Sequence, residues 1–228
     1  MEHTHKNIDL ELSDLRTKVS QMGDLVIAQI ESALRCLSEH DVPGTRMIIE
    51  QDSNVNQMDI DLEEMCLQFL ALHQPVAKDL RLITAAMKVT SELERIGDRV
   101  VNICEIVHDR DDRDPTTSHA EVSQMGSLAL AMVRDSLAAF SQADSSLVKQ
   151  VFEKDKEFDA LYGKTFAQLT ATVAKDPDRV AHDTKLAFLS RDLNEISEHA
   201  TNIAEVVMFM VDGKSLTHMD MHERRAPR

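Results

Sequence analysis

An acidic stripe along one face of a long helical segment is the pattern in this sequence that could do chemistry. Its members, spaced by four, four and three residues, are Glu94, Asp98, Asn102 and Glu105. On an α-helix they fall within an arc of about 80°, because each residue advances about 100° around the axis. Ile96 and Val100 fall on the opposite side, so the stripe faces away from the core of its own bundle. Oxygen ligands on one face suit cations such as Fe, Mn, Zn or Mg.

The stripe returns about one hundred residues later. The corresponding residues are Asn194, Glu198, Asn202 and Glu205. The helical segment before it holds two acids four residues apart, Asp155 and Asp159, where the first copy has Asp52 and Asn56. Solvated acidic faces are common on long helices, and acids at this spacing repel weakly when no cation is bound. The recurrence of the acids at equivalent positions of the two copies favours a metal site. A metal site and an ordinary solvated face both remain open at this point.

Sites for catalysis or for an organic cofactor are not predicted. Glu105 and His108 have the Glu-x-x-His spacing of carboxylate-bridged di-iron bundles, but the second copy has Glu205 and Met208. No Cys or Ser lies in a recognisable nucleophile setting. A metal-binding helical protein that stores metal or does redox chemistry therefore remains the alternative to a non-enzymatic binding protein.

An internal repeat organises the chain. The segment Val-Ser-Gln-Met-Gly at 19–23 returns at 122–126, which is 103 residues later. Further along the chain, equivalent residues lie 100 positions apart, since Leu93 and Ile96 match Leu193 and Ile196. A deletion of three residues between about 160 and 193 explains the change. Two copies of about 100 residues therefore fill almost the whole chain.

Apolar residues at three- and four-residue spacing predict three helices in each copy. The predicted ranges are 8–38, 47–71, 76–107, 119–143, 145–174 and 179–210. Pro43-Gly44 and the polar stretch 109–118 are predicted breaks. The expected fold is all-α: two tandem three-helix bundles made of six long helices. The predicted domains are 8–109 and 119–213, with a linker at 110–118 and a flexible tail at 214–228.

Composition narrows the classes of partner and the compartment. The chain has 40 acidic and 25 basic residues and a formal net charge of −15, which disfavours nucleic acid and anionic lipid as partners. A local basic patch around Lys78, Arg81 and Lys88 is possible. The three cysteines are predicted to be buried free thiols in a reducing compartment. No apolar run resembles a signal peptide or a membrane span, so a cytoplasmic protein without direct membrane insertion is expected.

Four segments together resemble the PhoU family. They are Leu-Glu-Arg-Ile-Gly-Asp-Arg at 93–99, Asn-Ile-Cys-Glu at 102–105, Gln-Pro-Val-Ala-Lys-Asp-Leu-Arg at 74–81 and His-Ala-Thr-Asn-Ile-Ala-Glu at 199–205. The resemblance implies two three-helix bundles with pseudo-twofold symmetry, often in a homodimer. It also implies a negative regulator of phosphate uptake and of the phosphate-starvation response. Such a regulator bridges the ATPase subunit of the phosphate ABC transporter and a sensor histidine kinase, and so lies at the inner membrane through its partners.

The resemblance further implies bound iron or zinc, with other divalent cations left open. Carried over by position, the metal ligands are Asp52, Glu94, Asp98, Asp155, Asp159 and Glu198, and the other residues of the polar stripes are Asn102, Glu105, Asn202 and Glu205. Two departures from the family pattern stand out: Asn56 replaces an acid, and Asn194 replaces the first acid of the second stripe. Fewer or weaker metal sites are therefore expected than in a member with every pair intact.

Overall fold

The structure, a computed structural model, describes residues 2–108, 120–173 and 180–213. Within those ranges the chain forms six α-helices and no strand, which confirms the all-α prediction. The helices are α1 (Glu2–Glu39), α2 (Val42–His73), α3 (Ala77–His108), α4 (Ala120–Gln142), α5 (Val148–Val173) and α6 (Val180–Asp212). The predicted linker at 110–118 and the predicted tail at 214–228 lie outside the described residues.

The start of α2 differs from the prediction, because Pro43-Gly44 belongs to the helix and does not precede it. The Asp41 carboxylate accepts a hydrogen bond from the Gly44 N–H at 3.0 Å and so caps the helix. Pro43 lies in the first turn, where a helix needs no N–H donor. The chain turns at His40, whose φ of +58° is left-handed. The five residues before Met47 are therefore helical.

Two other helix starts also move. Helix α1 begins at Glu2 and not at Ile8. Helix α5 begins at Val148 and not at Ser145, because the Asp144 carboxylate accepts a hydrogen bond from the Ser146 N–H at 2.8 Å and holds a turn before the helix.

The two repeats share one continuous core. Helices α1, α2 and α3 pack against one another, as do α4, α5 and α6. Helix α3 also packs against α6, and α1 packs against α4. The buried apolar residues of all six helices form a single cluster. Arg81, near the start of α3, donates to the carbonyl oxygen of Met210, near the end of α6, at 3.2 Å. Helices α3 and α6 therefore run antiparallel.

The repeated glycines permit the close packing of α1 against α4. A Cβ added to Gly23 would lie 2.8 Å from Cδ1 of Leu137, and one added to Gly126 would overlap Leu34. Leu34 and Leu137 are themselves equivalent in the 103-residue register, and so are the two glycines. The two contacts are thus related by a pseudo-twofold axis. This geometry explains why Gly closes the repeated segment at 19–23 and 122–126.

Candidate functional site

The carboxylates predicted in the first copy come together between α2 and α3. Asp52 on α2 is only 8% exposed, and its pKa is raised by burial and by the nearby charge of Asp98. Burial raises the pKa of Glu94, and the charges of Asp98, Asp59 and Asp52 add to the increase. The three predicted ligands of the first copy, and Asp59, therefore lie close enough to interact electrostatically. Their mutual repulsion makes this seam favourable for a cation.

Two buried side chains beside this seam have polar atoms without partners. The point that a Cβ of Gly97 would occupy lies 3.0 Å from Asp52 Oδ1 and 3.9 Å from Gln29 Oε1, so the glycine leaves room for both groups. Gln29 on α1 is 4% exposed. Among the described residues, both of its amide atoms and Asp52 Oδ1 are buried without a hydrogen-bond partner. Buried polar groups are normally satisfied, so these atoms fit a site that binds a metal ion.

The second copy is arranged differently. Asp155 accepts a hydrogen bond from the Thr201 hydroxyl at 3.3 Å, and Glu198 accepts one from the Asn194 amide at 2.9 Å. Asp159 is exposed. Met132 occupies the position equivalent to Gln29, because it lies 103 residues later. Partial engagement is common to both copies, because Asp52 Oδ2 also accepts a hydrogen bond from the Asn56 amide at 3.2 Å, but the buried amide of the first copy has no counterpart in the second.

Neither copy presents a ready-made metal centre. In the described ranges, no three His, Cys, Asp or Glu side chains are arranged so that they could hold a metal ion. Binding in the first copy would therefore need side-chain movement that brings Glu94 and Asp98 towards Asp52. The six predicted ligands remain a prediction, and the first copy fits a cation better than the second.

The asparagines of the two stripes take part in contacts between α3 and α6. Asn202 on α6 donates to Glu92 on α3 at 3.1 Å, and a ring nitrogen of His199 lies 2.6 Å from the same carboxylate. Burial alone would raise the pKa of Glu92, but hydrogen bonds from His199 and Asn202 outweigh it and lower the pKa. Asn202 therefore links the two repeats through Glu92.

The equivalent cluster is built around Asp192 on α6. This carboxylate is 1% exposed and accepts a hydrogen bond from Asn102. Arg99 lies 3.7 Å from it and 3.0 Å from Glu195, and Arg191 lies 3.4 Å from it. Burial raises the pKa of Asp192 against the opposing effect of both arginines. In the 100-residue register this cluster corresponds to Glu92, His199 and Asn202, so the α3–α6 interface has twofold-related polar clusters.

The sequence analysis singled out the two asparagines but missed the four ionisable residues with which they form these clusters. Glu92 and Asp192 are equivalent acids, and Arg99 and His199 are equivalent bases, in the register that the repeat already defined. That equivalence was the available signal. The remaining stripe residues, Glu105 and Glu205, are exposed and half-buried respectively, and Glu205 lines a cleft between α3 and α6.

The cysteines are poor candidates for chemistry. Cys36, Cys66 and Cys104 are free and buried, as predicted. Burial raises the pKa of the Cys66 thiol to about 11 and that of the Cys104 thiol to about 12. Both thiols are therefore protonated at neutral pH and are weak nucleophiles and weak metal ligands.

Among the described helices, none has a stretch long and apolar enough to cross a membrane. The six helices form two copies of one bundle, related by a pseudo-twofold axis, and carboxylates lie at equivalent positions in both copies. The protein therefore belongs to the class of duplicated helical-bundle proteins.

The comparisons identify the family. The PhoU domain model matches the chain twice, at residues 19–107 and 122–207. The chain is 32% identical to the phosphate-specific transport system accessory protein PhoU homolog of Pseudomonas putida, over 98% of this chain and 88% of the relative. It is 31% identical to the corresponding homolog of Caulobacter vibrioides, over 95% and 94% of the two chains. The chain belongs to the PhoU family.

Solved structures agree with this assignment. The crystal structure of PhoU from Pseudomonas aeruginosa superposes with a TM-score of 0.87 at 32% identity, over 90% of this chain and 99% of that one. The structure of the phosphate transport system regulatory protein PhoU from Streptococcus pneumoniae gives a TM-score of 0.84 at 27% identity, over 92% and 99%. The prediction of a PhoU-type fold is confirmed.

Proposed function

We propose that this protein is a non-enzymatic negative regulator of phosphate uptake and of the phosphate-starvation response. It would act as an adaptor between the ATPase subunit of the phosphate ABC transporter and a sensor histidine kinase. The observation that carries the proposal is the double match to the PhoU domain, together with relatives named as accessory proteins of phosphate-specific transport.

The shape of the protein supports a role in docking. Helix α1 has 38 residues, which correspond to a length of about 57 Å at 1.5 Å per residue. An elongated bundle offers separate surfaces to two partners at once. Coupling between them follows if the adaptor prefers one conformation of the transporter, because its affinity for the kinase then depends on transport. A homodimer that reaches the inner membrane through its partners is part of this proposal.

The alternative, a carboxylate-bridged metal protein, has weaker support. Such proteins direct Glu-x-x-His pairs into the bundle interior. Here Glu105 is exposed to solvent, while His108 is half-buried at the end of α3.

The regulatory role is tested in phosphate-replete host cells from which the gene has been deleted and then restored. We expect high alkaline phosphatase activity in the deletion strain and low activity after restoration, because the kinase is no longer held inactive without the adaptor. The control is restoration with a gene that carries Lys156→Gln, a change on the exposed face of α5 that should not affect regulation. Unchanged activity in the deletion strain would contradict the proposal.

Metal binding is a separate part of the proposal, with Asp52, Glu94 and Asp98 as ligands and Gln29 beside them. A bound cation would neutralise the carboxylates and link α2 to α3. We expect the double variant Glu94→Ala/Asp98→Ala to lose Mn²⁺ or Zn²⁺ binding, and Gln29→Met to bind roughly tenfold more weakly. Since burial and mutual repulsion raise the pKa of Asp52 and Glu94, protons should compete and affinity should fall as the pH is lowered.

The measurement is calorimetric titration of the chelator-treated protein, with Asp155→Ala/Asp159→Ala as the control from the second copy. Because the second copy has Met132 in place of the buried amide of Gln29, this control should change the stoichiometry little. Two fully loaded sites in the wild-type protein would contradict the expectation of fewer or weaker sites. Unchanged binding by the Glu94→Ala/Asp98→Ala variant would identify the stripe as ordinary surface.

A further inference from the structure

A cleft of about 890 Å³ runs between α3 and α6 on the side of the first copy. Its α3 wall carries Thr84, Lys88, Ser91 and Arg95, spaced by four, three and four residues, and so aligned along one helix face. Lys88 and Arg95 are both exposed. Within the described part of the chain neither forms a direct hydrogen bond or ion pair, although the charge of Arg95 acts to lower the pKa of the neighbouring Glu92 and Glu94. The cleft therefore offers two exposed cations, of which Arg95 is partly compensated by neighbouring acids, in a chain whose net charge is −15.

The acids that line the same cleft compensate these cations only in part, through the electrostatic effect of Arg95 on Glu92. Glu92 lies at the α3–α6 contact, where its carboxylate is held by His199 and Asn202. Glu205 belongs to the opposite wall, on α6. The α3 wall is thus the cationic side. The apolar part of the cleft is provided by Met87, Val206 and Phe209.

The spacing of the two cations bears on the kind of anion that fits the cleft. Lys88 and Arg95 are seven residues apart, which places them about 10 Å apart along the helix. A protein segment with two acidic side chains at a similar spacing can reach both cations at once. Apolar surface beside the cations suits an amphipathic segment laid along the groove.

The pseudo-twofold axis provides an internal comparison. In the second copy the residues equivalent to Lys88, Ser91 and Arg95 are Phe188, Arg191 and Glu195. The Arg191 guanidinium lies 5.2 Å from the centre of the Phe188 ring and forms ion pairs with Asp192 and Glu195. On the equivalent wall the arginine is therefore already paired, and Glu195 stands in place of Arg95. The two related faces of the protein differ in the charge that they offer.

From this asymmetry we infer that the cleft of the first copy is the docking site for an acidic amphipathic segment of one partner protein. The inference rests on the proposed adaptor function and specifies which face one of the two partners recognises. Charge complementarity would orient that partner, because the rest of the surface is mostly acidic and repels such a segment. The second partner would then bind elsewhere, so that both can be held together.

The test measures the affinity of the full-length protein for the purified ATPase subunit and for the cytoplasmic part of the sensor kinase. We expect Lys88→Glu/Arg95→Glu to weaken binding of one partner roughly 30-fold and to leave the other unchanged. Binding of that partner should also weaken as salt is raised. The matched control is Lys149→Glu/Lys156→Glu on α5, since these exposed lysines have the same seven-residue spacing. Circular dichroism confirms that each variant is folded.

Four results would overturn the inference. Equal loss of binding in the control variant would indicate a general effect of net charge. Unchanged binding of both partners by the Lys88→Glu/Arg95→Glu variant would remove the cleft as a docking site while leaving the adaptor function in place. Failure of the wild-type protein to bind either partner would overturn both proposals. Titration with inorganic phosphate distinguishes a small-anion site, because binding of phosphate that depends on Lys88 and Arg95, with partner binding unaffected, would assign the cleft to the free anion.

Discussion

Replacement of Arg99 by methionine should lower the free energy of unfolding by about 2–3 kcal/mol. Arg99 lies 3.7 Å from the carboxylate of Asp192, which is 1% exposed, and 3.0 Å from that of Glu195. Methionine keeps much of the side-chain volume but leaves Asp192 buried with less compensating charge. For a chain of this length, the loss corresponds to a melting temperature lower by roughly 5–10 °C.

The measurement is chemical denaturation of the variant and of two controls. Arg191→Met removes the other arginine beside the same carboxylate, but that side chain is 49% exposed, so we expect a loss below about 1 kcal/mol. Asp192→Asn in the Arg99→Met background should recover most of the stability, because it removes the buried charge. Equal effects of Arg99→Met and Arg191→Met would show that the α3–α6 cluster contributes nothing beyond a surface ion pair.

Replacement of Gly126 by leucine should be similarly damaging, with a loss of about 3 kcal/mol, and Gly23→Leu should behave in the same way. Each glycine faces a leucine of the other repeat across the α1–α4 contact, and a Cβ alone would already crowd that leucine. A flexible leucine can move to admit one methyl group. A full leucine side chain would force the two helices apart, because the surrounding core is densely packed.

Gly163→Leu is the matched control. Gly163 lies inside α5, is exposed, and has no neighbouring atom within 4 Å of an added Cβ. Leucine has a higher helix propensity than glycine, so this change should stabilise the protein by about 0.5 kcal/mol. Leu34→Ala should partly restore the Gly126→Leu variant by making room for the new side chain. A neutral Gly126→Leu variant would mean that the two repeats do not pack as closely as the structure shows.

Much of the fold was predictable from the sequence because helical periodicity and the repeat are properties of local residue order. The start of α2 was missed because Pro43-Gly44 was treated as a break, although proline is well suited to a first helical turn. The recurrence of Gly23 as Gly126 in the middle of two helices was an indication of close packing that the sequence interpretation did not use.

The candidate site was predictable only in part. Spacing placed Glu94 and Asp98 on one face, and the resemblance to the family added Asp52. Periodicity identifies which residues share a helix face, but it does not say which helix that face meets. For that reason the sequence did not reveal Gln29 beside Asp52, or the contacts of Asn102 and Asn202 with carboxylates of the other repeat.

The contacts between the repeats have a consequence for how such a chain could arise. Each repeat carries one glycine and one leucine of this interface, Gly23 and Leu34 in the first and Gly126 and Leu137 in the second. The glycine of each repeat contacts the leucine of the other. Self-complementary surfaces of this kind are the hallmark of isologous dimers, so the α1–α4 contact retains the form of an interface between two identical ancestral chains.

One pair breaks that self-complementarity. Glu31 of α1 pairs with Arg134 of α4, and these two residues occupy the same position in the 103-residue register. Two first repeats paired in this way would bring glutamates together, and two second repeats would bring arginines together. Opposite charges near the pseudo-twofold axis therefore favour pairing of a first repeat with a second repeat over pairing of two identical repeats. After duplication, each repeat could then change in sequence without pairing with a copy of itself.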